Sequence, residues 1–181
     1  ISHLDGDDWL SKNKLEKQYA FLETNGNFIA AVHKLRVFDR NSQKTNNSWP
    51  QNFTLKEYDL EDVAMHHPDF GHSSLMYKSG MISSFLEKIQ TDFIDFQIYL
   101  HLASQGKIGA IDAELGNYTS GIGISSARSL HALAIQAIEY AATIGLKKET
   151  AEHASARQYL LFSKIALAKG DFKLFNELIH Q

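Results

Sequence analysis

Three carboxylates fall within four positions at Asp5-Gly6-Asp7-Asp8, directly after the short apolar segment Ile1 to Leu4. Negative charges this close repel one another, so a fold that contains them must leave them in a solvated turn or gather them round a cation. Ile1 to Leu4 has the character of the end of a strand, and Gly6 permits a sharp turn that lets Asp5 and Asp7 point the same way. Carboxylate oxygen is a hard ligand that suits Mg²⁺ or Mn²⁺. Mg²⁺ takes one or two protein carboxylates and fills its other positions with water and substrate phosphates. One task for such a turn is therefore to hold a diphosphate through a divalent ion. The other is structural, since aspartates cap helices and close turns on many protein surfaces. Spacing alone leaves both open.

The chain has 181 residues, 44% of them apolar, which suffices for one domain with a real core and an appendage. A net charge of −3 argues against nucleic acid as a partner. No apolar run approaches the roughly 20 residues of a membrane span, and no charged-then-apolar signal segment is present. The absence of cysteine fits a reducing compartment and excludes disulfides and thiol catalysis.

Residues 11 to 24 have helical periodicity. Leu15, Tyr19 and Leu22 form the predicted buried stripe, Lys12, Lys14, Glu16 and Lys17 the wet side, and Asn25-Gly26-Asn27 the stop. Phe28 to Phe38 is rich in β-formers and predicts a strand buried in its first half. Asp39 to Asn52 is polar and predicts a loop or hairpin tip, with Phe53 to Leu60 returning as a strand. Met65 to His72 holds three histidines, His66, His67 and His72. Their spacing matches no zinc pattern, so a loop with solvent-facing or backbone-bonded imidazoles is expected rather than a metal cluster. Ser73 has no His/Asp pattern that would make it a nucleophile.

Thr91 to Ser104 predicts a second helix, with Thr91 as N-cap and Asp92 in the first turn. Phe93, Phe96, Leu100 and Ala103 form one apolar row and Ile94, Ile98 and Leu102 another, so this helix should be largely buried. Asp95 lies within that apolar company, and a carboxylate near a core needs a partner or a task. Gly106 ends the helix and Lys107 to Ile111 predicts a strand. After Ser126 the pattern turns wholly helical. Leu130, Leu133, Ala137, Tyr140, Ala141 and Ile144 precede a stop at Gly145; further helices are expected over residues 150 to 169 and 172 to 179. Short breaks between them imply antiparallel packing.

Three blocks carry a resemblance. Asp5 to Glu23, DGDDWLSKNKLEKQYAFLE, resembles the aspartate motif and following helix of family 2 glycosyltransferases, which have the GT-A fold. His72 to Lys78, HSSLMYK, is similar to a segment of the same family. So is Asp95 to Ser125, DFQIYLHLASQGKIGAIDAELGNYTSGIGIS. The resemblance implies an α/β fold: residues 1–125 as the C-terminal half of a GT-A-like domain, followed by an α-helical tail over 126–181. It also implies that the nucleotide-binding half is absent, so the chain is expected to be a fragment or to meet that half as a separate subunit.

The implied activity is inverting transfer of a sugar from a nucleoside-diphosphate donor to a hydroxyl of a sugar or glycolipid acceptor. Under the resemblance, Asp5 and Asp7 hold Mg²⁺ or Mn²⁺, Asp5 and Asp8 serve the donor diphosphate, and Asp95 is the catalytic base. His72, Ser73, Ser74 and Trp9 are the expected acceptor contacts. Family members carry Tyr-Arg-x-His where this chain has Tyr118, Thr119, Ser120 and Gly121. That departure favours an alternative, a non-catalytic scaffold that retains the fold; a nucleotidyltransferase or phosphotransferase is a third reading. Gly121, Gly123 and Ser125 suit a loop that closes over substrate. The expected location is the cytoplasm, including the inner membrane face as a peripheral protein.

Overall fold

The computed structural model describes residues 1–39, 41, 43–88, 92–120 and 127–181. In chain order the elements are β1 (Trp9–Leu10), α1 (Lys14–Thr24), β2 (Phe28–Phe38), β3 (Lys44–Trp49), β4 (Glu57–Tyr58) and α2 (Leu60–His66). A single turn of 3-10 helix (His72–Ser74), β5 (Met76–Tyr77), α3 (Ser83–Lys88), α4 (Asp95–Ala103) and β6 (Lys107–Thr119) follow. Three helices, α5 (Ala127–Thr143), α6 (Lys148–Ala168) and α7 (Phe172–Ile179), complete the chain. The protein is a mixed α/β structure with a curled mixed sheet and C-terminal helices. Among the described residues no helix is long and apolar enough to cross a membrane.

The two long strands, β2 and β6, lie side by side and parallel, from Phe28 opposite Lys107 to Phe38 opposite Thr119. Each carries two short antiparallel neighbours on its outer edge. β5 and β3 lie along β2 (Ala30 opposite Tyr77, Leu35 opposite Trp49), and β4 and β1 along β6 (Tyr58 opposite Ile108, Trp9 opposite Asn117). Register shifts near Ala30 and between His33 and Leu35 add local twist, as bulges do.

Alternation along β2 sorts the layers. Ala30 and Val32 face the main core with Leu75, Phe96, Leu100, Leu102 and Ile108, and this core continues into Ala134, Ala137, Ile138 and Ala141 of α5 and Phe162 of α6. Ala31 faces the other way, against Leu22 and Phe21 of α1. Each fully buried Leu or Ile contributes about 1.5–3 kcal/mol of transfer free energy. The small residues of α5 let it approach α4 closely. Residues 121–126, which include the expected 125/126 boundary and Gly121, Gly123 and Ser125 of the expected closing loop, lie outside the described residues, as does Thr91, the expected N-cap.

β2 and α7 match the sequence expectation residue for residue, and α6 begins two residues earlier. Elsewhere the structure corrects it. Helix α1 starts at Lys14, and its phase differs: Leu15 and Tyr19 are 51% and 62% exposed, whereas Lys14, Gln18 and Leu22 are buried. Residues 44–49, within the stretch expected to be a loop or hairpin tip, form the edge strand β3. Of residues 53–60 only Glu57–Tyr58 is strand. Asp59 instead opens α2 through a reciprocal capping box, its Oδ1 accepting from the Asp62 N–H while Asp62 Oδ2 accepts from the Asp59 N–H. β6 runs eight residues past Ile111, and there Asp112 and Glu114 pair with Lys34 and Arg36 on the neighbouring strand. Helix α4 starts at Asp95, with Ile94 as its extended N-cap, so Asp92 precedes the helix.

Candidate active site

The acidic segment forms a clamped turn, and Ile1 to Leu4 before it is not a strand. Ser2 makes an isolated bridge to Met76, the Asp8 N–H donates to the Asp5 carbonyl (3.1 Å), and β1 begins immediately afterwards. From one side the Asp5 N–H donates to Ser73 Oγ (2.9 Å). From the other, the Thr119 N–H donates to Asp8 Oδ1 (2.8 Å) and the Thr119 hydroxyl donates to the Asp7 carbonyl (2.6 Å). The turn thus bridges the 3-10 turn and the end of β6. Gly6 does not adopt a positive φ, so the turn does not depend on its special freedom.

These contacts separate the three aspartates by role. Asp8 is only 8% exposed, and burial pushes its carboxyl up, with Asp7 and Asp5 adding repulsion against the pull of the Ser73 hydroxyl and the Thr119 N–H. The side chains of Asp5, half-buried, and Asp7, exposed, have no hydrogen-bond or ion-pair partner among the described residues. Two free carboxylates on one turn match the number Mg²⁺ takes from a protein. No group of three or more His, Asp or Glu side chains is arranged to hold a metal among the described residues, so a cation here would need phosphate or water to complete its shell.

Beneath the turn lies Lys14, fully buried in α1. Its ammonium donates to the Ser73 carbonyl (2.7 Å) and the His3 carbonyl (3.1 Å), and burial lowers its pKa to about 8 against the pull of Asp8. One turn on, the Gln18 amide donates to the carbonyls of Ala31 (2.9 Å) and Ser74 (2.8 Å). His3 stands beside the turn with its Nε2 3.0 Å from the Tyr77 hydroxyl and its ring 4.1 Å from that of His72. Burial, with His72 and Lys14 adding to it, lowers the His3 pKa to about 4, so the imidazole is neutral near pH 7.

Asp95 opens α4 and is exposed, which corrects the expectation of an acid buried in the core. The reason is position: the first residue of α4 projects from the helix end, whereas the next eight, Phe96 to Ala103, are all buried. One turn along, the Tyr99 hydroxyl donates to Asp95 Oδ2 at 3.5 Å. Two phenols report where Asp95 lies relative to the turn. Tyr99 is raised by burial and then by Asp95 and Asp5; Tyr118 is raised by burial and then by Asp8, Asp7, Asp5 and Asp95. Contacts place the turn and Asp95 together: the Asp5 N–H donates to Ser73, the adjacent His72 ring lies 6.2 Å from that of Tyr99, and the Tyr99 hydroxyl donates to Asp95.

The remaining expected residues divide. His72 is half-buried beside His3. Ser73 and Ser74 are buried, and their hydroxyls serve the frame: Ser73 accepts from Asp5, and Ser74 Oγ donates to the Gly71 carbonyl (2.7 Å). Trp9 pairs with Asn117 and packs against Phe38 with the rings tilted, 4.6 Å between centroids, so it lies on the opposite face of β6 from Tyr118. Among the other histidines, His66 ends α2 and His67 lies against Phe96 at 3.9 Å, where burial lowers it to about 3. This corrects the expectation of solvent-facing or backbone-bonded imidazoles. At the position of the departure, Thr119 is taken up by the turn, the Ser120 hydroxyl donates to the Phe38 carbonyl (3.0 Å), and Gly121 lies outside the described residues.

Sequence reasoning missed Lys14, Tyr99 and Trp49. Tyr99 was detectable, standing at i+4 from Asp95 on a predicted helix. Lys14 gave no signal, since a lysine beside Lys12 and Glu16 reads as wet. No protein-family model matches the chain, and no curated protein matches it.

Proposed function

We propose that this chain is the C-terminal half of a GT-A-like catalytic domain with a helical tail, and that the domain transfers a sugar from a nucleoside diphosphate to an acceptor hydroxyl with inversion. The observation that carries this reading is a short chain of contacts: Ser73 holds Asp5, the neighbouring His72 ring lies 6.2 Å from that of Tyr99, and the Tyr99 hydroxyl donates to Asp95. Two acidic groups on one side of a protein can divide the work, one serving the leaving group and the other the nucleophile.

Asp7, assisted by Asp5, would ligate Mg²⁺ or Mn²⁺ through the carboxylates that make no other bond. When bound, such a cation neutralises charge growing on a departing diphosphate. Asp8 is tied to the Thr119 N–H and holds the turn in shape. Asp95, exposed at the head of α4, is reachable by an incoming alcohol. With Oδ2 facing Tyr99, its Oδ1 is the atom to accept the hydroxyl proton as the oxygen attacks.

The test is Asp95→Asn in the full-length protein. Transfer should fall by about 10²–10⁴-fold, while Mn²⁺-dependent binding of a nucleoside diphosphate persists. Wild-type turnover in this variant removes Asp95 from the mechanism.

A non-catalytic scaffold remains the second reading, favoured by a specific observation. Thr119, which stands where family members carry Arg, spends its polar groups on Asp8 and the Asp7 carbonyl. The absence of any metal-dependent nucleotide binding by the wild type would favour it.

A further inference from the structure

We propose that Trp49, set against Tyr118, forms the platform on which the terminal ring of a neutral pyranose acceptor stacks. This rests on the sugar-transfer reading above and adds to it the place and charge of the acceptor. Trp49 pairs with Leu35 across β3 and β2, and Tyr118 pairs with Val37 across β6 and β2. Leu35 and Val37 point to the same face of β2, so the two aromatic rings meet over that strand. Their centroids lie 5.0 Å apart in an edge-on arrangement at 61°.

The indole is fixed on its other sides. Its N–H donates to the Pro68 carbonyl at 3.3 Å, and it lies so close to Gly71 that a Cβ there would come within 2.6 Å of the ring. A rigid aromatic surface loses little entropy when a ligand covers it. Tyr118 joins this surface to the chemistry, since the next residue, Thr119, holds the acidic turn through Asp8 Oδ1 (2.8 Å) and the Asp7 carbonyl (2.6 Å). A pyranose suits both parts: its C–H face covers an aromatic ring, while its hydroxyls donate to carboxylates, which only accept. The exposed carboxylate of Asp95, to which no cation is assigned, also repels an anionic acceptor. Beneath the turn, the Lys14 ammonium is buried and committed to the His3 and Ser73 carbonyls.

The chain has two tryptophans, so Trp9→Phe leaves Trp49 as the sole indole reporter. Titrating that variant with neutral hexose disaccharides should change Trp49 emission saturably. Adding Tyr118→Ala should weaken the response about tenfold, and a uronic-acid disaccharide should give none. In the full-length protein, Trp49→Leu should raise the acceptor KM about tenfold with little change in kcat or in hydrolysis of the sugar nucleotide by water. Trp49→Phe, which keeps a flat ring, should recover most of that loss.

A flat emission titration with every neutral saccharide overturns the platform, and an equal response to the uronic acid overturns the neutral acceptor. Saturable binding in a protein that transfers no sugar keeps the platform and removes the transferase reading. Transfer with an unchanged acceptor KM in Trp49→Leu does the reverse.

Discussion

Helices α1 and α4 pack on opposite faces of the same sheet and are held there by different forces. α4 buries eight successive residues, Phe96 to Ala103, and all but Gln97 and His101 belong to the main apolar core. α1 buries a single row, Lys14, Gln18 and Leu22, of which two are polar. Its grip comes from four hydrogen bonds to the carbonyls of His3, Ser73, Ala31 and Ser74. Apolar contact is non-directional and tolerates small shifts, whereas hydrogen bonds to carbonyls fix position. The helix under the acidic turn is thus the one bound by directional contacts, which sets where Asp5 to Asp8 stand.

The contrast can be broken most forcefully in α4. Leu100→Ala removes a fully buried side chain from the main core and should cost about 2–5 kcal/mol, read by urea unfolding. A loss below about 1 kcal/mol would mean that α4 is not held by area.

Lys14→Met keeps the aliphatic stem but strands two carbonyls, for an expected loss of about 1–3 kcal/mol at pH 7. Its pH dependence sharpens the point. The folded pKa of Lys14 lies near 8, below its ordinary 10.5, so between these values the unfolded chain binds the extra proton. Stability of the wild type should therefore rise relative to Lys14→Met as pH climbs from about 8 toward 10.5, and the two should run in parallel below that window. Parallel curves throughout would show that the ammonium is not buried.

The smallest effect is expected on the outer face of α1. Tyr19→Ser should alter stability by no more than about 0.5 kcal/mol. A cost above about 1 kcal/mol would mean that Tyr19 is covered and that the phase of the helix differs from the one described.

Much of the fold was legible because periodicity reports burial directly. Phe28 to Phe38 shows itself as a strand by its run of β-formers, and the apolar spacing and Gly145 stop around α5 locate that helix without tertiary information. The misreadings share a cause: polar residues with a partner far along the chain. Lys14 reads as solvent-facing until Ser73, 59 positions away, supplies its acceptor. The strand expected over Lys107 to Ile111 runs on to Thr119, where Asp112 and Glu114 pair with Lys34 and Arg36 across β6 and β2. Asp95 failed in the other direction. Its apolar neighbours suggested burial, but a residue at a helix start can project outward while the next one turns in.

Read alone, the sequence determined the closeness of Asp5, Asp7 and Asp8, the α/β character and the helical C-terminal third, because these depend on local spacing and on how often apolar side chains recur. Only the tertiary structure decided which aspartate is free and which is tied, that Asp95 stands on the same side as the turn, and that Trp49 meets Tyr118. Those facts depend on parallel pairing of β2 with β6 across some 80 residues of chain, and no local pattern encodes the register at which distant strands meet.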